Sequence, residues 1–77
     1  MNLLELRAYA REKSRLYPSL ADQIADLVDL ASDEVDSGGS EQHESDLAYH
    51  DIEQLIKEAE RANRQTLQDR EGSIHRQ

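Results

Sequence analysis

The sequence contains no cysteine, phenylalanine or tryptophan, and its 77 residues include one proline and three glycines. Without cysteine, neither a disulfide nor a thiolate-bound metal can hold the fold, which fits a reducing compartment. Without the two largest apolar aromatics, the core must come from ten Leu, four Ile and two Val, helped by three Tyr. Fully burying such an aliphatic side chain yields about 1.5–3 kcal/mol, whereas ordering each residue costs about 1.5 kcal/mol. A lone subunit therefore sits near balance, and association with a second copy is expected. No apolar run approaches the ~20 residues of a membrane span, and the N-terminus has no signal-like apolar segment. The expectation is a cytoplasmic protein that neither crosses nor binds membranes.

The most informative shortage is of positive charge. From Leu16 to Ile56 there is no lysine or arginine, yet those 41 residues carry 11 carboxylates. The net charge of −8 is therefore concentrated in the middle of the chain. Such a field attracts basic partners and repels nucleic acid and anionic surfaces.

What is present reads as an all-α protein. Leu3, Leu6 and Ala10, with Leu4 and Ala8 beside them, predict a short first helix over about 2–16. Pro18 ends it by driving Tyr17 out of the helical region, and Ser19 is placed to cap a second helix over about 20–36, with Asp22 three residues on. The apolar positions of that helix are Leu20, Ile24, Leu27, Ala31 and Val35, broadened by Val28 and Leu30. Gly38-Gly39 stops it, and Ser40 caps a third helix over about 41–68. There Ala48, Ile52, Leu55, Ala59 and Ala62 keep a 4-3 spacing, joined by Leu47 and Ile56, with small alanines allowing close helix approach. Two helices joined by about five residues are expected to lie antiparallel. The predicted architecture is one domain over 1–72, a helical hairpin with a short leading helix, followed by a loose tail over 73–77. Dimerisation through the seam of Leu20, Ile24, Leu27, Ala31, Ala48, Ile52, Leu55 and Ala59 would complete a bundle.

Asp22, Asp26, Asp29, Asp33 and Asp36 repeat at 4-3-4-3, which sets all five on one face of the second helix. Their i,i+4 neighbours are alike in sign, where an ordinary solvated face carries opposite pairs. Aspartate is also a weaker helix former than glutamate. Asp33, Glu34 and Asp36 lie at the negative end of the helix dipole, where each carboxylate is unfavourable. A stability-neutral surface would avoid this pattern, so these five residues, with Glu41 and Glu44, are the candidate partner-binding set. Eleven charges over ~25 Å is about one per 2 Å, close to the one per ~1.7 Å of duplex DNA. In size, acidity and helical content the whole chain resembles the small inhibitors that phages and mobile elements use against host nucleic-acid enzymes, such as anti-restriction and anti-CRISPR proteins. That resemblance is one of general character and brings no residue roles. It implies a non-enzymatic regulator acting in the host cytoplasm on a basic, nucleic-acid-binding protein. The alternative is a homo-oligomeric scaffold or accessory subunit that binds a partner helix along its apolar seam.

Other constellations are weaker. His43, Asp46, His50 and Glu53 share a helix face and offer imidazole and carboxylate ligands, but a single helix presents them in a row and not as a tetrahedron. Asp33 to Glu44 has Asp first, Gly sixth and Glu twelfth like a calcium loop, yet Val35 stands where a ligand is needed. No nucleophile–base order, phosphate loop or glycine fingerprint occurs, so neither a cofactor nor an enzymatic activity is expected. Arg7, Arg11 and Arg15 form a basic stripe expected to pair with carboxylates of the second helix or of a second copy. Tyr17 is read as a core-edge residue, and Tyr49, one position from the seam of the third helix, as part of a subunit interface or of a partner-binding patch, with an ordinary packing role as the default.

Overall fold

The computed structural model describes residues 1–76, with side chains through Ala62. It is helical, with no strand among the described residues: α1 (Leu3–Leu16), one 3₁₀ turn (Pro18–Leu20), α2 (Ala21–Asp36) and α3 (Glu41–Arg76). The first helix starts on a reciprocal cap. The Asn2 side chain accepts from the Glu5 amide at 2.8 Å, and the Glu5 carboxylate accepts from the Asn2 amide at 3.2 Å. Two backbone donors that the helix itself leaves orphaned are thereby satisfied.

The passage from α1 to α2 differs from the sequence expectation. Ser19 does not cap α2, which begins behind Leu20 with no side-chain cap. Pro18 instead opens the 3₁₀ turn, in which the Leu20 amide donates to the Tyr17 carbonyl at 2.9 Å and the Ala21 amide to that of Pro18. Those backbone bonds take the place of a capping hydroxyl.

The turn after α2 follows the sequence closely. Gly38 has φ +109°, and its amide donates to the Val35 carbonyl at 3.0 Å while the Gly39 amide donates to that of Glu34 at 2.8 Å. This double bond pattern is the Schellman motif, which needs a left-handed residue at Gly38. A Cβ on Gly39 would lie 2.8 Å from the Glu34 oxygen, so the second glycine is required by close approach. Ser40 then caps α3, its hydroxyl accepting from the His43 amide at 3.4 Å.

α3 continues to Arg76, past the end near residue 68 read from its polarity. Arg, Gln, Glu and Leu, which fill much of the segment after Ala62, are good helix formers whether or not they are apolar. The tail expected over 73–77 reaches Gln77, outside the described residues. With α3 more than twice the length of α1 or α2, the molecule measures 59 × 19 × 16 Å.

The core joins all three helices: Leu6 and Ala10 of α1, Ile24, Val28 and Ala31 of α2, and Ala48, Ile52 and Ile56 of α3. Of the expected seam, Ile24, Ala31, Ala48 and Ile52 are buried, whereas Leu20, Leu27, Leu55 and Ala59 are half-buried. Val28 and Ile56 take the inner places expected for Leu27 and Leu55. The cause is α1, which packs on both other helices and draws the centre of burial one residue toward itself. Thus part of the seam expected to bury itself against a second copy is covered inside one chain.

α1 is also fixed to α3 along its length. The Met1 amino group lies 3.2 Å from Asp46, and the Leu3 amide donates to Glu41 Oε2 at 2.9 Å. Further on, the Tyr9 and Tyr49 rings meet at 4.4 Å with a 44° tilt, and Lys13 Nζ stands 5.6 Å above Tyr9. At the far end the Tyr17 hydroxyl donates to Glu60 at 2.7 Å. Residue numbers rise together along the two helices, so α1 and α3 point the same way.

Candidate protein-binding surface

All five aspartates of α2 are exposed. Because Ile24, Val28 and Ala31 face the core, the 4-3-4-3 spacing turns Asp22, Asp26, Asp29, Asp33 and Asp36 away from it. Among the described residues none of the five is in an ion pair; in the whole acidic stretch only Asp46 has one, with the Met1 amino group. The last turn of α2 contains no basic residue to complement Asp33, Glu34 and Asp36. Among the described residues, therefore, no cation compensates this negative surface.

The basic stripe of α1 does not pair with it. Arg7 donates instead to the Ser32 hydroxyl at 3.4 Å, while Arg7 and Arg11 border a depression with Asp29 but form no ion pair among the described residues.

The two α3 members of the candidate set, one turn apart, have surroundings different from those of the α2 aspartates. Glu41 is engaged by the Leu3 amide and helps seat the start of α1. Glu44 is half-buried and borders a groove between α2 and α3. That groove was not evident from the seam pattern. Leu27, Leu30, Ala31 and Glu34 line it from α2, and Glu44, Leu47, Ala48 and Asp51 from α3. Leu30 is 60% exposed and Leu47 47% exposed. The signal available in the sequence was that both leucines lie inside the acidic stretch but off the 4-3 seam.

The metal candidates are not assembled. His43 and His50 are exposed, Asp46 is held by the Met1 amino group, and no three His, Asp or Glu among the described residues could hold an ion. Asp33 to Glu44 is no twelve-residue loop either, because α2 ends at Asp36 and α3 begins at Glu41.

The tyrosines form the other notable cluster. Tyr9, Lys13 and Tyr17 of the α1 side and Glu53, Lys57 and Glu60 of α3 surround a shallow depression. Desolvation, with the nearby Tyr49, Glu53 and Glu12, raises the Tyr9 pKa above its ordinary value of 10.0. The hydrogen bond to Glu60, followed by desolvation and the carboxylate's charge, raises that of Tyr17. Both phenols stay protonated at neutral pH and so retain their capacity to donate a hydrogen bond. These contacts fasten α1 to α3.

No family model matches the chain, and neither the curated proteins nor the solved structures contain a match. No helix among the described residues is long and apolar enough to cross a membrane.

Proposed function

We propose that this chain is a non-enzymatic binding protein, an inhibitor or regulator that lays the outer face of α2 on a basic, nucleic-acid-binding surface of a partner protein in the cytoplasm. The supporting observation is that Asp22, Asp26, Asp29, Asp33 and Asp36 are all exposed and that none is ion-paired within the described residues. The five carboxylates are spread over about 21 Å of helix, one per about 4–5 Å against ~3.4 Å per phosphate of a single DNA strand, and such an array suits a groove evolved for phosphates. In this reading α2 and α3 form an antiparallel hairpin, α1 braces it from one side, and the acidic face is presented on the other. In size, acidity and helical content the chain resembles the small inhibitors that phages and mobile elements use against host nucleic-acid enzymes, and the proposal groups it with proteins of that character.

The test is capture from a bacterial lysate at about 0.1 M and about 0.5 M salt, comparing the wild type with a variant carrying Asp26→Asn, Asp29→Asn and Asp33→Asn. A nucleic-acid-binding protein retained only by the wild type, and only at low salt, is the expected result. Equal capture by both proteins, or none, would remove the aspartate face from consideration.

A further inference from the structure

We infer that the groove between α2 and α3 receives an amphipathic helix with basic flanks, supplied by the partner protein that the preceding proposal assigns to the acidic face. The inference deepens that reading and depends on it for the partner's charge. Three features of the groove choose its occupant.

The first is its floor. Leu27, Ala31 and Ala48 are covered to different degrees by the packing of α2 on α3, while Leu30 and Leu47 stand exposed at its two sides. No residue of α1 lines it, so the helix that covers the rest of the hairpin leaves this side open. Its volume of about 120 Å³ is below the roughly 300–1,000 Å³ of small-molecule sites. It has room for one or two aliphatic side chains, as a helix seated along a groove requires.

The second is its rim. Glu34, Glu44 and Asp51 border the leucines, and no described residue forms an ion pair with any of them. Glu44 and Asp51 are seven residues apart on one helix, about 10 Å or two turns. A partner helix with aliphatic residues at i and i+3 or i+4, flanked by Arg or Lys about two turns apart, matches both the floor and that charge spacing.

The third is self-exclusion. Two copies meeting groove to groove would set Glu34, Glu44 and Asp51 against the same three carboxylates, an arrangement that disfavours this isologous dimer. Nor can the acidic stretch supply the missing cations, because residues 16–56 contain no lysine or arginine.

The test uses a fluorescent 18-residue peptide of Leu and Lys in helical period, with a scrambled peptide of the same composition as control. Binding is read by anisotropy to the full chain at about 0.05 M and about 0.3 M salt. Leu30→Asp and Leu47→Asp change exposed positions and add negative charge, so simple ionic attraction would tighten binding. Occupation of the groove predicts the opposite, about a tenfold weakening for each, with helicity by circular dichroism unchanged. The scrambled peptide is expected to bind at least tenfold more weakly than the periodic one.

Tighter binding by the Leu→Asp variants, equal binding of both peptides, or no binding by the wild type would overturn the inference. If the triple Asp→Asn variant loses its lysate target while the leucine variants keep both target and peptide, the acidic-face reading survives and the groove inference fails. If the leucine variants lose the peptide while the triple variant keeps its lysate target, the acidic-face reading fails, and the groove keeps its selectivity for a basic amphipathic helix but not its assignment to that partner. Sedimentation of the wild type is the remaining control. Concentration-dependent self-association abolished by Leu47→Asp would show that a second copy, for example through its Arg7, Arg11 and Arg15 stripe, fills the groove, and would also overturn the inference.

Discussion

Ser45 is completely buried on α3, and its hydroxyl has no hydrogen-bond partner among the described residues. An unsatisfied buried hydroxyl costs more than it returns, so Ser45→Ala is expected to raise unfolding stability by about 1 kcal/mol, measured by urea titration. Unchanged or lower stability would mean that the hydroxyl is satisfied in solution. Tyr17 offers a second check at this scale. Its pKa is raised in the folded chain, mainly by the bond to Glu60, so the contact contributes stability that is complete below the unfolded value of about 10 and is lost as pH rises through the folded value. Removing the acceptor with Glu60→Ala should shift one of the three phenol titrations, followed by ultraviolet absorbance, back toward 10.

At the scale of the elements, the two caps flanking the α2–α3 turn were legible because they rest on local chemistry. Gly38, Gly39 and Ser40 each do what their residue type does best at that position, and no distant contact is needed to explain them. Gly38→Ala would place a Cβ at φ +109° and is expected to cost about 1–2 kcal/mol, seen as a lower thermal midpoint. The α1–α2 passage was misread for the complementary reason. Ser19 had the right chemistry for a cap, but Pro18 could open either an extended segment or a 3₁₀ turn, and the docking of Tyr17 against Glu60 accompanies the second. The reciprocal Asn2–Glu5 cap, by contrast, satisfies the pattern of a capping box and could have been read directly.

For the whole molecule, the net charge of −8, with no ion pair on the aspartate face among the described residues, makes self-repulsion the expected dominant long-range term. Raising sodium chloride from about 0.02 M to about 0.5 M is therefore expected to increase the thermal midpoint by several degrees. A midpoint that falls with salt would show that favourable ion pairs outweigh the repulsion.

The helical class, the breaks near Pro18 and Gly38, the exposure of the five aspartates and much of the core follow from periodicity and local backbone chemistry, which act over three or four residues. The choice of Val28 over Leu27 and of Ile56 over Leu55 does not, because each pair is equally apolar and adjacent on its helix. That choice was made by α1, whose Leu6 and Ala10 enter the core from one side and leave Leu30 and Leu47 uncovered on another. Where a third helix docks on two others depends on contacts between residues far apart in the chain, and no pattern within a single helix encodes it.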